Sequence, residues 1–182
     1  MSRSSHRAIL LADGYNLIGL WPRLRDSHAI KGLETARRDL IEALVNYSAT
    51  EAIETRIIFD SQYQYSPQLK EVVSDRLSVY YTEFAQTADA YIEKTCADLR
   101  QELRLSKQRL IVATSDMAVQ QVVKGFGAEW MSAEQLANEV EAALNRCRRR
   151  YKPRKQSKGR FLASSLDPES QKKLAKLRMG LK

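Results

Sequence analysis

The chain has 182 residues, 43% apolar and 29% charged, and 30 basic against 22 acidic side chains give a formal charge of +8. That length suits one domain with an appendage, and the composition excludes a chain disordered throughout. No run of about 18 apolar residues is present to span a membrane, and Met1 to Arg7 is too polar for a signal peptide, so a cytoplasmic protein is expected.

Arg7-Ala-Ile-Leu-Leu-Ala12 is an unbroken apolar run of the kind a parallel strand buried on both faces requires, and it stops at Asp13-Gly14. Residues 14–32 hold Gly14, Gly19, Pro22 and Gly32 and read as a long loop. Leu33, Ala36, Leu40, Ile41, Leu44 and Tyr47 then recur at helical spacing, to about Ala52. Thr55 to Phe59 is a second buried strand, and it too ends at an aspartate, Asp60. Ser61 to Ser66 is turn-like, and Pro67 opens a short helix through Arg76. Leu77 to Tyr81 reads as the third strand.

Thr87 is a helix cap, and Ala88, Ile92, Cys96, Leu99 and Leu103 form one face of the helix that follows, to about Leu105. Arg109 to Thr114 is the fourth strand, closing at Ser115-Asp116. A short helix, Met117 to Lys124, stops at Gly125 and Gly127, and Ala128 to Met131 is a brief fifth strand. Ser132-Ala-Glu-Gln135 is a capping box for a last helix to about Arg149. Strands alternating with helices predict an α/β sandwich with a mostly parallel sheet and right-handed crossovers.

Charge divides the chain more sharply than these elements do. Residues 146–182 carry 14 basic and two acidic side chains, a balance of +12, whereas residues 1–145 carry 16 basic and 20 acidic, a balance of −4. The expected organisation is a domain over 1–147 and a basic tail over 148–182, the tail extended at first and ending in a short helix after Asp167-Pro168. Arg148, Arg149, Arg150, Lys152, Arg154, Lys155, Lys158 and Arg160 form its densest stretch, suited to a polyanion such as RNA. Cys96 and Cys147 lie far apart with no histidine near either, so neither a zinc site nor an activated thiol is expected.

Asp13, Asp60 and Asp116 each follow an apolar strand, and Asp89 stands in the first turn of the helix after the third strand. Carboxyl ends of parallel strands share one sheet edge, and ligands bind there where the strand order reverses. Glu93 is one turn further along the same helix face as Asp89. A single strand-ending aspartate is often only a helix cap, and Asn16 is as good a turn residue as a ligand contact. Several carboxylates together, with no histidine or cysteine among them, describe instead a hard-cation site for Mg²⁺ or Mn²⁺. Trp21, Tyr63, Tyr65, Tyr80, Tyr81 and Tyr151 are either core residues or base-stacking platforms.

Leu-Leu-Ala-Asp13-Gly14-Tyr15-Asn16-Leu-Ile-Gly resembles the opening motif of the YacP-like branch of the NYN domain family, relatives of the PIN-domain ribonucleases. Thr87-Ala88-Asp89 with Ile92-Glu93-Lys94, and Ala-Thr114-Ser115-Asp116, resemble that family's second and third motifs. The resemblance implies a PIN-like Rossmannoid three-layer sandwich with strand order 3-2-1-4-5 and metal-dependent RNA endonuclease activity. It implies that Asp13, Asp89 and Asp116 ligate Mg²⁺ or Mn²⁺, and that Asn16 positions a ligand or the scissile phosphate. Glu93 or Asp60 would complete the site, and Thr114 and Ser115 would touch a phosphate. Many relatives carry a Gly-Glu pair before the second motif, where this chain has Ala85-Gln86. The expected partner is RNA, with mRNA and the ribosome as its context and a monomeric enzyme as its reader. The alternative is a non-catalytic RNA- or ribosome-binding adaptor that keeps the fold.

Overall fold

The apolar run that opens the chain becomes the strand β1 (Ala8–Asp13), buried along its whole length, in a computed structural model that describes residues 8–61, 69–151 and Glu169. It is followed by α1 (Gly14–Leu20), α2 (Pro22–Lys31), α3 (Leu33–Glu51), β2 (Glu54–Phe59), β3 (Leu69–Ser74) and β4 (Leu77–Tyr81). Then come α4 (Ala88–Ser106), β5 (Arg109–Ala113), α5 (Met117–Gly125), β6 (Glu129–Met131) and α6 (Ala133–Tyr151). The six strands form one sheet in the order β3-β4-β2-β1-β5-β6. All neighbours run parallel except β3, which pairs antiparallel with β4.

Side chains of a strand point alternately to opposite faces, and here both faces are covered. Leu10, Ala12, Ile57, Phe59, Val79 and Ile111 point into one core layer with α1, α2, α3 and α6. Ile9, Leu11, Ile58, Tyr80, Leu110 and Val112 point into the other, with α4 and α5. The result is the expected three-layer sandwich, whose strands β4-β2-β1-β5-β6 reproduce the expected order, with β3 added at the edge.

Three expectations are corrected. The short helix expected up to Arg76 is a strand over Leu69–Ser74, because it closes a tight hairpin onto β4 through Asp75 and Arg76. Its first five residues are exposed, so no buried face betrayed it in the sequence. The long loop expected over 14–32 is two helices: Leu17, Ile18, Trp21 and Leu24 are buried, and Pro22 takes the first position of α2, where its missing N–H has no helical acceptor to lose. Finally, α6 continues to Tyr151, so Arg148, Arg149 and Arg150 are helical and not extended. The other tail cations and the tail helix, Glu169 apart, lie outside the described residues.

Packing divides the chain into two units, Met1–Arg146 and Cys147–Lys182, and the whole sheet belongs to the first. Within it β1 lies between β2 and β5. The chain leaves β1 toward β2 through α1, α2 and α3, and reaches β5 from β4 through α4. The order therefore reverses between β1 and β5, and a crevice opens beyond their carboxyl ends.

Candidate active site at the carboxyl edge of the sheet

Four carboxylates from four segments meet in that crevice. Asp13, Asp60, Asp89 and Asp116 line one cavity of about 280 Å³, together with Tyr15, Asn16 and Thr87. Asp13 ends β1 and is buried, and its Oδ1 accepts the Asn16 N–H at 3.1 Å, which caps α1. Asp116 caps α5, its Oδ1 accepting the Ala118 and Val119 N–H groups at 2.7 and 3.3 Å. Asp89 is in the first turn of α4, whose cap is Thr87 Oγ1, accepting the Ala90 N–H at 3.1 Å. Capping and convergence are thus not alternatives for Asp13 and Asp116, since the capping bonds aim these carboxylates along the same edge.

Electrostatics record the crowding. Burial pushes the Asp13 carboxyl up from its ordinary 3.8 to about 6, the Asn16 N–H opposes that rise, and the charges of Asp89 and Asp116 add to it. Asp89 is also raised, first by burial and then by Asp116, Glu93 and Asp60. Glu93 itself stands outside the cavity lining, so it acts on the site through its charge on Asp89.

The remaining expected contacts are placed differently. Asn16 lines the cavity, and its Oδ1 accepts the Ser115 N–H at 2.9 Å, tying the end of β1 to the end of β5. Ser115 and Thr114 are outside the lining. Ser115 Oγ accepts the Ala133 N–H at 3.3 Å, and Thr114 is buried with its Oγ1 accepting the Asp116 N–H at 3.2 Å. Gln86 is also outside it, its N–H closing a turn on the Glu83 carbonyl at 3.1 Å, while Ala85 takes a left-handed φ of 65°. Asp60, not Gln86, supplies the fourth acid. Trp21 is core, 2% exposed, and Tyr63 and Tyr65 lie outside the described residues.

Tyr15, in the cavity lining, and Arg37, which packs against Tyr15, are residues that the sequence reading did not single out. A Cβ on Gly14 would come within 2.3 Å of the Phe59 ring, so only glycine lets α1 start this close to β2. Phe59 meets Tyr15 edge-on at 5.1 Å and stacks on Tyr81 at 5.8 Å. The Arg37 guanidinium lies 5.3 Å from the centre of the Tyr15 ring and donates to the Tyr15 hydroxyl. Tyr15 was findable from its place between Asp13 and Asn16. Arg37 was one of many helix cations, with no signal of its own.

An all-oxygen, all-acid donor set fits a hard divalent cation and not zinc. As the side chains lie, no three of the described His, Cys, Asp and Glu residues are grouped closely enough to hold a metal ion together. Arg148 and Arg149 are exposed on α6, and Lys152, Arg154, Lys155, Lys158 and Arg160 lie outside the described residues. No helix among the described residues is long and apolar enough to cross a membrane.

A doubly covered, mostly parallel sheet with acids gathered at its switch point places the chain among PIN-like α/β domains. The family model of the YacP-like NYN domain matches residues 10–179, and the chain belongs to that family. It is 37% identical over 144 residues to the protein YacP of Bacillus subtilis (strain 168), a match spanning 79% of this chain and 81% of that one. Two solved structures of Rae1 (YacP) from Bacillus subtilis are similar in fold, both at 34% identity. One superposes with a TM-score of 0.63 over 94% of this chain and 95% of that one. The other, a mutant form, gives 0.65 over 79% and 80%.

Proposed function

We propose that the protein is a metal-dependent endoribonuclease that hydrolyses RNA phosphodiester bonds, acting on mRNA in a ribosome-linked context. The observation that carries this reading is the meeting of Asp13, Asp60, Asp89 and Asp116 in one cavity at the strand-order reversal. An RNA-binding adaptor gains nothing from four acids, which repel its ligand. Asp13, Asp89 and Asp116 are the residues that would hold Mg²⁺ or Mn²⁺, and such an ion supplies charge neutralisation at a phosphate and an acidified water.

The chain's own groups prepare that site. The Asn16 N–H and the first turn of α5 fix the carboxylates of Asp13 and Asp116 before any ligand arrives. Asn16 Oδ1 holds the Ser115 backbone, and so sets the spacing between the β1 and β5 ends. Tyr15, clamped between Phe59 and Arg37, gives the cavity a rigid aromatic wall on which a base can lie. The cations of residues 146–182 supply sequence-neutral affinity for the RNA backbone, and that affinity falls steeply with salt.

The test is cleavage of an end-labelled RNA with Mn²⁺, with and without chelator, by the wild type and by Asp13→Asn. Removing a group of this kind is expected to lower the rate by about 100-fold or more, and chelation should abolish cleavage. Cleavage that persists in chelator, or a folded Asp13→Asn protein of full activity, overturns the mechanism.

A further inference from the structure

At the opposite edge of the sheet is a second, larger cavity of about 610 Å³ that the cleavage reading leaves unused. It lies between the last turns of α4 and α5 and the first residues of β5 and β6. Five cations line it, Arg100, Arg104, Lys107, Arg109 and Lys124, against a single carboxylate, Glu129. All five are exposed. Glu129 is already committed, because Arg109 donates to it twice, at 2.7 and 2.5 Å. Among the described residues Arg109 is the one cation of the five in an ion pair; Lys124 lies over the Trp130 ring, 5.1 Å from its centre.

Helix ends explain only part of this. Cations in a last turn offset the carbonyl dipoles there, which accounts for Arg104 on α4 and Lys124 on α5. Arg100 stands a full turn earlier on the same face as Arg104, and Arg109 comes from a strand. The space between them is open, since a Cβ added to Gly125 or Gly127 would meet nothing within 4 Å. Residues 1–145 are net acidic at −4, so a cationic cleft among them is a local concentration of charge and not the average of the surface.

We propose that this cleft is a second RNA-binding site, taking the phosphodiester backbone of a segment of the substrate remote from the cleaved bond. It rests on the reading of RNA as substrate. Long, exposed cations around an open cleft, four of the five outside any ion pair among the described residues, suit a flexible polyanion, which gains affinity by releasing its counterions. β5 connects the two edges: Arg109 begins it at the cleft, and Asp116 lies just beyond its end in the acidic cavity. At about 3.3 Å per residue the sites are on the order of 20 Å apart, too far for neighbouring phosphates. The acidic edge repels the backbone it must admit, and the basic edge supplies a counterweight within the same domain.

The experiment uses the full chain and measures binding of a long labelled RNA in chelator, across a salt series. Two proteins are compared with the wild type. One is the triple variant Arg104→Gln, Lys107→Gln, Lys124→Gln. The other is Gly125→Glu, which removes no cation and puts a carboxylate into open space. Both should weaken binding, the triple variant by about tenfold, with its log–log salt slope smaller by about 2 for three lost contacts. Cleavage of a short RNA that reaches only the acidic cavity should stay at the wild-type rate. Unchanged affinity and slope in both proteins overturn the proposal. So does a short-RNA rate that falls in step with binding, which would put the cleft on the path of the cleaved strand. Equal displacement of the long RNA by polyglutamate would assign the cleft to an acidic protein and overturn it too. A wild type that cleaves no RNA sinks the nuclease reading alone, because binding is read without turnover.

Discussion

A buried carboxylate at the end of a central strand is a liability to the fold that carries it. Asp13 titrates near 3.8 in an unfolded chain and at about 6 in the folded one. Between these values the native state holds a proton that the unfolded state has released, so stability falls as pH rises through this window. The loss is complete above about pH 6 and absent below about pH 4, and a shift of this size corresponds to about 3 kcal/mol. Asn keeps the cap and carries no charge. Asp13→Asn should therefore unfold at a higher temperature than the wild type at pH 8 in chelator, and at the same temperature near pH 4. Scanning calorimetry at the two pH values decides it, and a variant less stable at pH 8 refutes the assignment. That a site residue should be the one whose removal strengthens the fold was legible in outline, because Asp13 ends an unbroken apolar run. Its burial and the Asn16–Ser115 bond were not, since they depend on which strands are neighbours.

Local rules were read well where one face of an element is buried and poorly where none is. The helix α3 follows from apolar spacing and the parallel strands from short apolar runs, while α4, α5 and α6 also needed the Thr87 cap, the stops at Gly125 and Gly127 and the capping box at Ser132. The two helices over 14–31 were hidden by glycines and a proline that here occupy permitted helical positions. Gly14 serves a close approach to Phe59, and Pro22 opens α2. β3 was hidden because it pairs along an edge with its side chains in solvent. The turn before α4 carries a backbone strain that nothing in the sequence announced. Ala85 sits at φ 65° with its side chain exposed. A left-handed conformation costs an L-residue roughly 1–2 kcal/mol, and glycine's extra freedom when unfolded returns about 0.5–1 kcal/mol of that. Ala85→Gly should raise the melting temperature by about 1–3 °C. A lower melting temperature would mean that the turn is held in place by something other than backbone preference.

Taken whole, the protein separates its charges by place. Acids occupy one edge of the sheet, cations the other edge and the segment after residue 146. Through the layer between them runs α4, which carries Asp89 at one end, Arg104 at the other, and Cys96 in the middle. Cys96 is fully buried among Ile9, Ile58 and Val112, and burial, with the charge of Glu93, pushes its thiol up to about 12. A thiol so placed is inert until its helix lifts from the sheet. In a Cys147→Ser background, alkylation of Cys96 therefore becomes a clock for that opening, readable without any substrate. An ion bound through Asp89 must slow the clock, by about 100-fold at a concentration 100 times its dissociation constant. Alkylation that runs at one speed with and without Mn²⁺ would mean that no ion is held through Asp89. One silent sulfur thus lets occupancy of the acidic edge be timed in a protein that is doing no chemistry.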